Sequence, residues 1–103
     1  MKNFYKKLKN ITLASLKQKK NELWDAEGVL HNQAFKFDLR PLKNNAKGGS
    51  FRTKADKIVF DMKDQFIVVD TEELHQYLKD NNTKVVNLEQ LISSLEWNII
   101  LPK

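Results

Sequence analysis

The chain has no cysteine, three glycines, two prolines and two histidines among its 103 residues. Without cysteine, a disulfide scaffold, a thiolate metal site and a cysteine nucleophile are excluded. Two histidines and three glycines leave little material for a metal cluster or a nucleotide cradle, so no cofactor and no metal are expected. Gly48-Gly49-Ser50 lacks the spacing and the following Lys-Ser/Thr of a phosphate-binding loop. Ser15, Ser50, Ser93 and Ser94 have no base pattern or nucleophile-elbow glycines nearby. No apolar run approaches the roughly 18 residues of a membrane span. The N-terminus is also more polar than a signal peptide, and a cytoplasmic protein is expected.

What is present fits one globular domain, residues 1–103, with 41% hydrophobic and 30% charged residues. The net charge of +5 averages two unlike parts. Residues 1–57 hold 14 Lys/Arg against five acids, and residues 58–103 hold four lysines against eight acids. Such asymmetry builds a one-sided field suited to an anionic partner.

Residues 1–24 read as an amphipathic helix. At about 100° per residue, Phe4, Tyr5, Leu8, Ile11, Leu16 and Leu23 share one side. Lys2, Lys6, Lys9, Lys17 and Lys20 lie opposite, while Leu13 and Trp24 break the pattern. Asn10-Ile11-Thr12 is weak for a helix interior and predicts a bend. Glu27-Gly28 should end this element, and a strand should follow from Val29 to Leu39, where Phe35, Phe37 and Leu39 alternate with charged residues up to Pro41. Residues 42–53 read as a basic, glycine-hinged loop.

Ile58–Phe60 and Phe66–Val69 read as a hairpin, the second strand covered on both faces because Ile67, Val68 and Val69 are consecutive. Asp70 or Thr71 can cap a helix carrying Leu74, Tyr77 and Leu78, with Glu73 closing a capping box and Asn81-Asn82 stopping it. A short strand near 83–86, a second short helix opened by Asn87, and a terminal strand over Trp97–Leu101 complete the chain. The expected class is α+β: an N-terminal amphipathic helix, a small antiparallel or mixed sheet of 3–5 strands, and two short C-terminal helices.

The run Lys54-Ala55-Asp56-Lys57-Ile58-Val59-Phe60, a hairpin, and Phe66 to Leu74 resemble the later segment of PD-(D/E)XK-type nucleases over residues 48–78. In that family the metal-binding carboxylates and catalytic lysine usually precede this segment. Here the preceding stretch offers Asp38-Leu39-Arg40, with arginine in place of lysine. Asp38, Asp61 and Lys63 meet the loose spacing of an acid followed by acid-x-Lys, and the resemblance makes them the candidate set of a minimal metal-dependent endonuclease. The other reading of Asp61 to Gln65 is a plain hairpin turn. His75 reads as a partly exposed helix residue and not as a ligand.

A nucleic-acid backbone needs fewer assumptions, because Lys and Arg neutralise phosphates without a motif. The candidates are Lys2, Lys6, Lys9, Lys17 and Lys20 on the helix, and Arg40, Lys43, Lys47, Arg52, Lys54 and Lys57 in and around the loop. Arg40 and Arg52 suit bidentate phosphate contacts. Phe51 either stacks on an unpaired base or anchors the loop to the core. No recognition-helix, zinc-finger or RNP-type pattern supports readout of sequence. The expectation is a small, basic, non-enzymatic protein that binds RNA or DNA, with no membrane role. By analogy, it is a phage or plasmid accessory protein inhibiting a host nucleoprotein defence complex such as CRISPR. The alternatives are the endonuclease above and a module that binds an acidic protein.

Overall fold

A computed structural model describes residues 2–41, 46–47 and 51–103, with Lys2, Ala46 and Lys47 described in their backbone only. In chain order the elements are α1 (Lys2–Tyr5), β1 (Lys9–Leu13), α2 (Leu16–Asn21), β2 (Ala26–Leu30), β3 (Gln33–Pro41) and β4 (Ala46–Lys47). Then come β5 (Lys57–Asp61), β6 (Gln65–Asp70), α3 (Thr71–Asp80), β7 (Val86–Asn87), α4 (Leu88–Ser94) and β8 (Asn98–Pro102). Six strands form one mixed sheet in the order β1-β2-β3-β5-β6-β8, while β4 and β7 pair separately. Every neighbouring pair of the large sheet is antiparallel except β3 and β5, which run parallel. The class is α+β, as the order of elements predicts, with one strand more in the main sheet than the expected 3–5.

The sheet has a core on each face, because side chains alternate along strands. On one face Ile58, Phe60, Ile67 and Val69 pack under Leu74 of α3 and Leu88 and Leu91 of α4. On the other, Phe35, Phe37, Val59, Phe66 and Val68 pack with Phe4 and Leu8. Phe4 meets Phe37 and Phe66 edge-on at 5.2 and 5.4 Å, and this contact holds the four-residue α1 in place. Gly28 lets the chain approach closely here. A Cβ on it would stand 3.0 Å from the Leu8 side chain.

The C-terminal part follows the sequence signals. Asp70 caps α3 by accepting from Glu73 N at 3.1 Å, and Asn87 caps α4. Asn82 takes the left-handed conformation (φ 47°) just past α3. Glu73 does not close a capping box. Its carboxylate accepts instead from the backbone N–H groups of Glu96 and Trp97, tying α3 to the entry of β8.

The N-terminal expectation is corrected. Residues 1–24 do not form one amphipathic helix: β1 sits in the middle, with short helices before and after it. The weak Asn10-Ile11-Thr12 stretch is where the helix gives way, and Asn10 has φ 55° beside an irregularity in the β1–β2 register. Ser15 restarts the chain with a complete capping box to Gln18. Leu23, at φ 62°, leaves the helical conformation before Trp24. The expected strand from Val29 to Leu39 is in fact a hairpin, β2–β3, turning at His31 and Asn32, both with positive φ. Glu27 and Gly28 lie inside β2 and end nothing.

Candidate nucleic-acid interface

Two groups of cations must be distinguished. Lys6, Lys9, Lys17, Lys19 and Lys20 are exposed and Lys7 is half-buried, spread over the end of α1, β1 and α2. None of them stands in an ion pair among the described residues. The second group is spent on structure. Arg40 grips Asp38 with Nε and a terminal nitrogen, the latter at 2.8 Å, and lies over the Phe51 ring at 5.1 Å. Lys57 is 7% exposed, lies 2.7 Å from Asp70, and packs 3.9 Å from the Trp97 ring centre and 4.7 Å from that of Phe35. A lysine held this way cannot reach a phosphate without abandoning its carboxylate. Lys57 is therefore removed from the set that the sequence suggested.

Phe51 is likewise corrected. Its ring is 4% exposed, packs edge-on against Phe60 at 6.1 Å, and belongs to the core beneath α3 and α4. A base would find no face to stack on. His75 reinforces the anchor by donating from Nε2 to the Phe51 carbonyl at 2.7 Å. The sequence left both readings of Phe51 open, and burial decides for the anchor.

Of the loop cations, Arg52 and Lys54 are exposed. Lys43 and the Gly48-Gly49-Ser50 hinge lie outside the described residues, and Lys2 and Lys47 are placed by backbone only, in α1 and β4. A groove of about 310 Å³ brings Lys19 of α2 next to Arg40 and Arg52, along the side of Trp24. Lys19 and its groove partners lie 21 and 33 residues apart in sequence, so no stripe analysis could group them. Asp25 and Asp38 also line this groove. Asp38 is held by Arg40, and Asp25 accepts from Leu39 N at 2.8 Å.

The endonuclease set does not assemble. The parallel register sets Asp38 beside Ile58 and Pro41 beside Asp61, so Asp38 and Asp61 are three positions apart along neighbouring strands. Alternation puts them on opposite faces of the sheet. Asp61 pairs with Lys103 at 2.6 Å, and Lys63 is exposed in the β5–β6 turn. A cavity of about 670 Å³ lies elsewhere, at the start of β5 and of α3. It gathers Asp56, Lys57, Asp70, Glu72 and His75, which the sequence reading did not group. The available signal was spacing: the β5–β6 hairpin sets Lys57 opposite Asp70. These carboxylates do not fit a divalent cation. Asp70 is committed to Lys57 and to the α3 cap, and Asp56 accepts from Lys36 N at 2.8 Å. Among the described residues no three His, Cys, Asp or Glu side chains stand together as a metal site.

No family model, curated protein or solved structure matches this chain. The site therefore rests on its own geometry. Among the described residues, no helix is long and apolar enough to cross a membrane.

Proposed function

We propose that the protein binds the phosphate backbone of RNA or DNA, without catalysis and without reading sequence, through the lysines of α1, β1 and α2. The observation that carries this reading is the run of exposed lysines at 6, 9, 17, 19 and 20, unpaired among the described residues, in a segment of twenty residues with seven lysines and no acid. Unpaired exposed cations neutralise phosphates and release counterions, whereas cations already paired gain little by exchanging partners. Lys54 and Arg52 extend the positive surface toward the Trp24 groove. The acidic part of the chain, built around α3 and α4, is turned to other contacts.

Binding of labelled RNA and DNA across a salt series tests this. Engaging five lysines on duplex DNA gives a log–log salt slope of about −4.5. Replacing Lys17, Lys19 and Lys20 by Gln brings that slope to about −2 and leaves the fold intact. No affinity at low salt, or affinity indifferent to salt, defeats the reading. Its extension to inhibition of a host nucleoprotein complex is tested by whether the protein displaces nucleic acid from such a complex and whether the triple Gln variant fails to.

A further inference from the structure

The two edges of the main sheet are finished differently. On β8 the chain ends its pairing at Pro102, which offers no N–H, and Lys103 turns back to Asp61. On β1 all five residues are exposed, and among the described residues the strand pairs on one side only, with β2. Four large apolar side chains crowd the same end of the fold. Ile11 and Leu13 lie on the strand, Leu16 opens α2, and Leu23 follows it, with exposures of 39%, 60%, 87% and 41%. An unpaired strand edge flanked by exposed apolar side chains is the template for strand addition.

We infer that β1 accepts an added strand from an acidic protein segment, in which acidic side chains alternate with apolar ones. The backbone of the incoming strand pairs with Ile11–Leu13, where the register irregularity between Lys9 and Thr12 gives way to regular pairing. Its apolar side chains cover Leu13, Leu16 and Leu23, and its carboxylates meet Lys9, Lys17 and Lys20. Charge selects this occupant. A second copy of the chain would bring seven lysines against seven more with no acid between them, which repels. A nucleic acid would use the lysines but gives the four apolar side chains and the free strand edge nothing to pair with. The inference shares Lys9, Lys17 and Lys20 with the backbone-binding reading, and differs in requiring the strand edge and the apolar groups, which phosphates do not use.

The test titrates the full-length protein with a fluorescent peptide in which Glu alternates with Val and Leu, and with two controls: the same peptide with Lys for Glu, and an all-Glu peptide. The Glu/apolar peptide is expected to bind and to shift the backbone amide resonances of residues 11–13, and neither control should do so. An Ile11→Ser/Leu13→Ser variant, which keeps every charge, should weaken peptide binding by about tenfold or more and leave the RNA salt slope unchanged. The inference is overturned if the Glu/apolar peptide does not bind, or if the all-Glu peptide binds equally well. It is also overturned if the amides of 11–13 respond to an RNA oligonucleotide and not to the peptide.

Discussion

The centre of the main sheet and its β1 edge are built from the same element type and differ in how much they bury. In β5 and β6 nearly every residue is buried, with helices on one face and the Phe4 cluster on the other. In β1 every residue is exposed, and the helix after it buries nothing. Charge follows the same division. At β5 and β6 two cations are held in ion pairs, Lys57 with Asp70 and Lys103 with Asp61, and Lys63 is exposed in the turn between the strands. Around β1 and α2 the lysines stand unpaired among the described residues. Buried contacts are concentrated at the centre of the sheet, and exposed cations without an ion pair among the described residues at the β1 edge; a cation that holds the fold together is no longer available to a partner.

The sharpest way to break this contrast is a side-chain truncation in each region. Phe60→Ala removes a fully buried ring and should cost about 3–5 kcal/mol, while Leu16→Ala, at an 87% exposed position, should stay within about 0.5 kcal/mol. Denaturant unfolding of the two variants checks both values. Comparable losses would mean that α2 carries core weight and that the division is false.

A smaller effect separates structural from available cations. Lys57→Ala leaves Asp70 Oδ1 without its ion-pair partner and removes the cation over Trp97, and because Asp70 keeps some solvent contact and its Oδ2 still accepts from Glu73 N, the loss should be about 2–3 kcal/mol. Lys17→Ala should leave the unfolding midpoint in place and lower only the affinity for a polyanion. The smallest effect concerns Tyr5, whose phenol is raised above its ordinary 10.0 by burial and, secondarily, by the charge of Asp25. The folded state thus resists ionisation that the unfolded chain accepts. Its contribution is fully present below pH 10 and is lost as pH rises through the folded value. Tyr5→Phe should flatten the alkaline limb of the stability profile measured above pH 10, and an unchanged limb would mean that the phenol is not desolvated.

Legibility followed burial. The β5–β6 hairpin and α3 were readable, because Ile58 to Phe60 and Ile67 to Val69 are apolar runs and Asp70 is a cap with a hydrogen-bonding target three residues on. The first 24 residues misled for the opposite reason. A strand exposed at every position carries no burial period, so the apolar residues of α1, β1 and α2 aligned by chance at a helical spacing. The candidate site divided likewise. Lys6, Lys9, Lys17 and Lys20 were readable as cations in a segment without acids, whereas the fates of Lys57, Arg40 and Phe51 were not.

The sequence by itself determined the charge asymmetry, the helix caps, the buried hairpin and the absence of the residue types that most chemistry requires. Only the tertiary structure decided which cations are free to meet a partner. Ion pairing depends on what the sheet register brings opposite: β6 sets Asp70 against Lys57 across 13 residues of chain, and among the described residues no carboxylate pairs with the lysines at the β1 edge. Composition counts those charges alike, but geometry consumes some and leaves the others exposed.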